Sequence, residues 1–310
     1  MKKALKRFIK NTWLYSQYLH VNRLKVIRNI KKLKRTSHEE KINLINKRYE
    51  ISHGHPINWE NPTTYTEKMQ WDKLYNKDPM KTTLSDKYLV REWVKEKIGE
   101  EYLIPIVGVW DKFSDVPIKS LPDKFVLKTN HGTGTNIIVK DKSKCKWGDA
   151  RRKVKDWMKM DFAYTNLFEM HYSPIKRKII VEQYLETKTG ELQDYKFLCF
   201  GGAPKFCWVD LGRYTKRART VFDMNWQQQP WTQWYEPVDN VPKPQNFEKM
   251  VELVTKLCEG FAQVRVDLYN VEGKIYFGEM TFTNGSGFTK ITPVEYDKVL
   301  GDLWVLPKQE

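Results

Sequence analysis

Two acids near the C-terminal end, Asp267 and Glu279, are the pair in this chain best placed to act together. They lie in FAQVRVDLYNVEGKIYFGEMTFTNGSGF, residues 261–288, which reads as a β-hairpin followed by a glycine-bearing loop. Val264, Val266 and Leu268 alternate with Arg265, Asp267 and Tyr269; Asn270 to Gly273 carries turn residues, and Lys274 to Glu279 alternates again. Strand period puts Arg265 and Asp267 on one face, opposite the valines, and Phe277 and Glu279 on a common face of the returning strand. If the register sets Asp267 beside Glu279, they form a hard-oxygen site suited to Mg²⁺, which needs few protein ligands when substrate phosphates complete its shell. The competing reading is a hairpin whose charged face is simply solvated.

A second stretch could handle anions. Asn130-His131-Gly132-Thr133-Gly134-Thr135 lies between two strand-like runs, Phe125 to Thr129 and Asn136 to Lys140. Small, hydroxyl-bearing and glycine residues there let backbone N–H groups approach a phosphate, and Lys128 adds a cation. An ordinary hairpin turn would look similar, and the spacing matches neither GxxxxGK[ST] nor GxGxxG. Arg213, Arg217 and Arg219 occupy a loop-like segment that could clamp anionic groups. His53 and His55 have no third metal ligand nearby in the sequence, which favours an ordinary loop pair.

The elements that must position these residues are mixed. Helical patterns cover residues 1–48, Thr66 to Tyr75, Ser85 to Ile98 (Ser85 as cap), Lys144 to Met160 and Asn246 to Gly260. Strand patterns cover Leu103 to Val109, Lys178 to Leu185, Glu191 to Phe200 and Pro204 to Asp210, besides those above. Of the net charge of +16, residues 1–48 supply +13, from fifteen Lys/Arg against Glu39 and Glu40. This basic extension, with Val26 and Ile30 on its apolar stripe, suits an anionic membrane surface or packing against the body. Nucleic acid is an unlikely partner, because the body lacks interleaved basic and aromatic residues. Cys145, Cys199, Cys207 and Cys258 form no CxxC pair, and no run is long and apolar enough to span a membrane. A cytoplasmic body, peripheral to the inner face of the plasma membrane if the extension binds lipid, is the expectation.

Together, LSDKYLVREW, FVLKTNHGTGTNIIV, VEQYLE, DYKFLCFGG, the hairpin and LGDLWVLP resemble, in order and spacing, the ATP-grasp superfamily over about residues 50–307. The likeness is to its TupA-like branch, associated with teichuronopeptide and surface-polysaccharide biosynthesis. It implies an α+β ATP-grasp fold, with two subdomains sandwiching ATP, after a basic helical extension (1–48). Within 49–310, a glycine-loop subdomain would span about 103–180 and a metal-site subdomain about 181–307. It further implies that Lys87 and Lys128 contact ATP phosphates, that Gly132 and Gly134 let the loop close, that His131 contacts phosphate or nucleophile, and that Glu182, Gln183, Tyr184 and Leu185 hold adenine. As catalytic residues, Lys196 would face phosphate or substrate and Arg265 would stabilise charge on the transferring phosphoryl group, and Asp267 and Glu279 would bind Mg²⁺. Thr281 stands where many relatives have an asparagine ligand, and Asn284 is an alternative donor.

The implied reaction transfers a phosphoryl group from ATP to a carboxylate, and an amine then attacks the acyl phosphate. The expected substrates are an amino-acid-like carboxylate and an amine or sugar acceptor, in capsular or cell-surface polysaccharide biosynthesis. Alternatives are a glycosyltransferase, weakened by the absence of D-x-D, and a non-catalytic nucleotide-binding relative. Alanine at Asp267 or Glu279 is expected to abolish magnesium-dependent ADP release with the fold intact.

Overall fold

The structure is a computed structural model, and it describes residues 13–188, 192–212 and 216–307. The first twelve residues of the basic extension and Arg213 lie outside the described residues. The chain opens with α1 (Trp13–Leu33) and α2 (His38–His53), separated by a turn that Ser37 and Glu40 close as a capping box. Thr64 and Glu67 do the same for α3 (Tyr65–Tyr75). Ser85 ends α4 (Pro79–Ser85) rather than capping a long helix, and α5 (Val90–Lys97) starts separately. Asp86 makes that break, its Oδ1 accepting from the Tyr88 and Leu89 amides at 2.8 and 3.3 Å.

Four antiparallel strands form the first sheet: β1 (Ile106–Trp110), β2 (Phe125–Thr129), β3 (Asn136–Val139) and β4 (Ile179–Gln183), in the order β1-β4-β2-β3. Helix α6 (Trp147–Lys159) covers it, with Val154 packed among Phe125, Leu127, Val139 and Val181. The second sheet begins with β5 (Asp194–Phe200), β6 (Ala203–Leu211) and β7 (Ala218–Asp223). A short β8 (Thr232–Gln233) and α7 (Phe247–Cys258) precede the hairpin β9 (Gln263–Val271) and β10 (Lys274–Thr281). Its strand order is β10-β9-β5-β6-β7, all antiparallel. The chain then adds β11 (Ile291–Thr292), paired with β8, and α8 (Glu295–Asp302). β7 is the strand that sequence patterning misses, and it takes Arg219 out of the expected loop.

Alternation decides what each face of the second sheet meets. Tyr195, Phe197, Val264, Val266 and Leu268 face α7, whose Phe247, Met250, Leu253, Val254 and Leu257 are buried against them. Each such side chain contributes about 1.5–3 kcal/mol relative to exposure. On the opposite face Leu198, Phe200, Trp208 and Val221 pack with Tyr65, Met69, Leu300 and Trp304. The rest of that face is charged, with Lys196, Arg265 and Asp267 all buried.

The hairpin departs from strict alternation at one position. Its register runs from Phe277 opposite Leu268 to Glu279 opposite Asp267, which leaves Gly278 as a bulge. Phe277 and Glu279 therefore do not share a face: Phe277 enters the core beneath α7, and Glu279 turns to the charged side. A Cβ at position 278 would lie 3.0 Å from the Asp267 carbonyl oxygen, so glycine suits the close approach.

The described part of the basic extension is docked on the body. Ile30, Leu33, Ile45 and Tyr49 pack with Phe162, Ala163 and Phe168. Arg23 Nε and His20 Nδ1 lie 2.6 and 2.7 Å from the buried Asp156 carboxylate on α6. Val26 is exposed, not on the buried stripe, which runs through Ile27, Ile30 and Leu33.

Helix α3 is tied to α8 by Asp297, which accepts from Thr66 N at 2.9 Å and Thr66 Oγ1 at 2.5 Å. Burial pushes the Asp297 carboxyl up to about 6, against these hydrogen bonds. The folded state then holds this proton more tightly than the unfolded chain, so the contribution of this residue to stability falls as pH rises from about 4 to about 6. Asp297→Asn should flatten that part of the thermal stability profile. Asp297→Ala should cost about 2 kcal/mol or more by orphaning the Thr66 donors, measured by denaturant unfolding.

Candidate functional site

The two sheets face each other across a cleft of about 1000 Å³. Ile104, Val126, Ile138, Leu185 and Leu192 supply apolar walls, and Lys87, Lys128, Thr133, Gly134, Gln183, Tyr184 and Glu279 line the remainder. Lys128 on β2 reaches across the sheet to Glu182 on β4, Nζ to Oε2 2.7 Å, so these two expected nucleotide contacts pair with each other. Lys87 donates to the Gly132 carbonyl at 2.6 Å, and burial pushes its ammonium below the usual lysine range. An apolar slot bordered by two cations and a glycine turn suits a flat base carrying phosphates.

The glycine loop is fixed at its root, and the space beside the Gly134 Cα is open. Asn130 donates to Asp86 Oδ2 at 2.8 Å and to Lys176 O at 2.9 Å, and its Oδ1 accepts from Lys178 N at 2.7 Å. A Cβ on Gly132 would fall 2.2 Å from the Phe162 ring, whereas one on Gly134 would meet nothing within 4 Å. His131 is not at the cleft. Its ring is buried against Phe162 and its Nε2 lies 3.2 Å from Trp157 O, which pins the loop to α6. Burial, with Arg177 nearby, pushes this imidazole down to about 4, so it is neutral at pH 7.

The floor of the cleft is a buried charge network centred on Arg265. Its Nε and Nη2 donate to Asp267 at 2.6 and 2.7 Å, Nη2 also to Glu279 Oε1 at 2.8 Å and Thr281 Oγ1 at 3.1 Å, and Nη1 to Asn284 Oδ1 at 2.5 Å. All four expected metal donors thus converge, and the guanidinium is what they converge on. Lys196 Nζ closes the second side of Asp267 at 2.6 Å and lies 3.3 Å from Asp194. Burial opposes the charges on Arg265 and Lys196, but their carboxylate neighbours outweigh it and hold both above their usual ranges. Burial likewise opposes the Asp267 charge, and Arg265 and Lys196 overcome it, so its carboxyl sits below the usual range.

The donors are all oxygens, the type a hard cation takes, although both Asp267 oxygens already accept from Arg265 and Lys196. Glu279, with 38% of its side chain exposed, stands beside Asp267 in register and opens to the cleft. Thr281 and Asn284 both accept from Arg265, and Asn284 is held further by its Nδ2, which donates to Gln233 at 2.6 Å. Thr281 is nearer to hand, its hydroxyl donating to Glu279 at 3.2 Å.

The two described arginines of the expected clamp, Arg217 and Arg219, do not form one. Arg219 is buried on β7, bidentate to Asp210 at 2.5 and 2.7 Å and stacked between Trp208 and Trp234. Arg217 is exposed and donates to the Tyr235 hydroxyl at 2.9 Å. Asp86 and Asn130, which set the loop root, read in the sequence only as a first-turn helix acid and as the opening residue of the loop, since the hydrogen bond that joins them spans 44 residues.

Two sheets closing on an apolar slot, a glycine turn and a late acidic hairpin define an ATP-grasp fold. The chain belongs to the TupA-like ATP-grasp family, whose model matches residues 67–305. Among solved structures it is similar to D-alanine–D-alanine ligase from Bacillus anthracis complexed with ATP, at 15% identity and a TM-score of 0.37, over 64% of this chain and 54% of that one. It is similar also to L-amino acid ligase from Bacillus licheniformis, at 15% identity and TM-score 0.40, over 67% and 43%. N5-carboxyaminoimidazole synthetase from Staphylococcus aureus matches at 13% and 0.37, over 64% and 44%. The chain thus spans about half the length of these structures. No curated protein matches it in sequence.

The network revises one expectation about the two acids. Asp267→Ala leaves Arg265 and Lys196 buried without their shared counter-charge, which should cost roughly 3–5 kcal/mol, whereas Glu279→Ala should stay within about 1 kcal/mol. The Asp267 contribution should be present above about pH 4 and lost as pH falls further, because its folded carboxyl titrates below the unfolded one. Urea unfolding of both variants at pH 7 and pH 4 checks the difference.

Proposed function

We propose that this protein is an ATP-dependent ligase that joins a carboxylate to an amine through an acyl phosphate, in capsular or cell-surface polysaccharide biosynthesis. The observation that carries the reading is a junction. A second chamber of about 870 Å³ adjoins the nucleotide cleft, and Thr133 and Glu279 line both. Arg265 stands in the wall of the second chamber, next to Glu279. A nucleotide in the first chamber would present its terminal phosphate at this wall, to a carboxylate held in the second.

In-line phosphoryl transfer needs positioning and charge neutralisation more than covalent help. Lys87 and Lys128 orient the phosphates, and Arg265 meets the charge on the group in flight. Mg²⁺, held by Glu279 and Asp267, would supply further neutralisation when bound. Gly132 and Gly134 give the loop the freedom to cover an acyl phosphate and keep water from it. The substrate we favour is an amino-acid-like carboxylate, attached to a sugar or polymer amine.

The basic extension then serves as a contact with anionic lipid at the inner membrane face. Helix α1 exposes Tyr18, Val21 and Leu24 alongside Lys25, Arg28 and Lys32 on the side away from the body. No described helix is long and apolar enough to cross a membrane.

ADP release on addition of ATP, magnesium and a panel of amino acids should be carboxylate-dependent. Glu279→Ala should lower it by about a hundredfold or more at unchanged thermal stability; release without carboxylate dependence, or unaffected by Glu279→Ala, contradicts the ligase reading. Glutamate at Lys25, Arg28 and Lys32 should abolish co-sedimentation with anionic vesicles. Equal binding to anionic and neutral vesicles counts against the membrane role.

A further inference from the structure

The second chamber holds a carboxylate that the phosphoryl-transfer chemistry does not use. Among its lining residues the charged ones are Arg265, Glu279 and Glu169. The first two belong to the network on the cleft floor; Glu169 comes from the irregular stretch between α6 and β4. Thr283 Oγ1 donates to its Oε1 at 2.5 Å, and Asn166 Nδ2 to its Oε2 at 3.2 Å. A carboxylate has about four lone-pair positions, and with the Ser286 side chain also bonded to it Glu169 keeps room for one further donor from the chamber. Phe162, Tyr172 and Trp234 give the same chamber aromatic walls.

The charges behind Glu169 explain how it persists there. Lys73 on α3 is buried and donates to Gln70 Oε1 at 2.8 Å and to Ser286 O and Oγ at 3.2 Å. Its ammonium also lies 4.4 Å from the Phe288 ring centroid. Burial pushes the Glu169 carboxyl up and the Lys73 ammonium down, and each partly offsets the shift of the other. An ammonium entering the chamber would be attracted by Glu169, and an anionic group repelled by it.

We propose that Glu169 binds the incoming amine and is its general base, which defines the acceptor as a primary amine such as an amino sugar. This rests on the ligase reading. The acceptor ammonium gives one proton to Glu169, and the freed lone pair attacks the acyl-phosphate carbon. The C–N bond forms, the C–O bond to phosphate breaks with its electron pair leaving on phosphate, and the second nitrogen proton departs with that phosphate. Aromatic walls suit the apolar face of a sugar ring carrying such an amine.

The test uses the full chain, with Glu169→Gln and the charge-conserving Glu169→Asp, each first shown to melt cooperatively. Ligand-detected NMR with glucosamine and N-acetylglucosamine should show preference for glucosamine in the wild type, loss of that preference in Glu169→Gln and its retention in Glu169→Asp. Equal preference in wild type and Glu169→Gln overturns the proposal. In the reaction, hydroxylamine, uncharged at neutral pH, traps the acyl phosphate without needing a base. Glu169→Gln should keep hydroxamate formation from the amino-acid panel within about twofold while amide formation with glucosamine falls about a hundredfold and recovers at high pH. Parallel loss of both products makes Glu169 structural and overturns its role as base. No hydroxamate from the wild type overturns the ligase reading itself, and the NMR comparison then decides the amine site independently.

Discussion

Burying the Arg265 guanidinium is the constraint that the rest of the molecule satisfies. A charge removed from water is tolerable only with close, well-directed counter-charges. Here Asp267 accepts two bonds from Arg265 and one from Lys196, which joins β9 to β5. Glu279, Thr281 and Asn284 complete the shell from β10 and the loop after it. This arrangement requires Glu279 opposite Asp267, a register that the bulge at Gly278 provides while returning Phe277 to the core. The same atoms then explain why a divalent ion belongs with the nucleotide. Asp194, Asp267 and Glu279 place three carboxylates around two cations, so a polyphosphate approaching the floor meets surplus negative charge unless Mg²⁺ comes with it.

Floor and roof of the cleft differ in how they are held. The floor is covered by α7 on its far side and locked by buried ion pairs, so it resists displacement. The roof depends on Asn130 at the loop root, on the His131 ring packed against Phe162 and α6, and on the Lys87–Gly132 hydrogen bond nearer the tip. Beyond Gly132, the space beside the Gly134 Cα is open. Stability is therefore concentrated where charge must be positioned, and freedom where substrates must enter. Helix α3, fastened to α8 by Asp297, brings Lys73 behind the second chamber and links the packing of the C-terminal helix to the acceptor side.

The parts that could be read from the sequence are those with strong periodicity. β2, β9, β10 and α7 were evident because each alternates or repeats over enough residues to leave one choice of element. The convergence of Asp267 and Glu279 was anticipated, but not its mechanism, since a bulge shifts the face by one residue and Gly278 alone does not announce it. Arg219 looked like a loop cation because its partner, Asp210, is on the neighbouring strand and its aromatic stack is distant in sequence. His131 sits beside two glycines, yet its ring turns inward, and only the three-dimensional position of Phe162 and Trp157 decides that. Glu169 carries no periodic signal at all, lying in irregular chain between two short 3₁₀ turns, with contacts made at long range. Docking of α1 through Asp156 is likewise a tertiary fact, hidden in a helix whose composition also suits a lipid surface.

The central claim is that a magnesium–nucleotide complex sits between the glycine loop and the Arg265 floor. Calorimetric titration of ADP into the full chain, with magnesium and then with a chelator, in wild type and Glu279→Gln, tests it most directly. The account predicts micromolar binding, worth about 8 kcal/mol, that weakens at least tenfold without magnesium and to a similar degree in the variant. Binding of equal strength under all four conditions, or none with magnesium present, would contradict it.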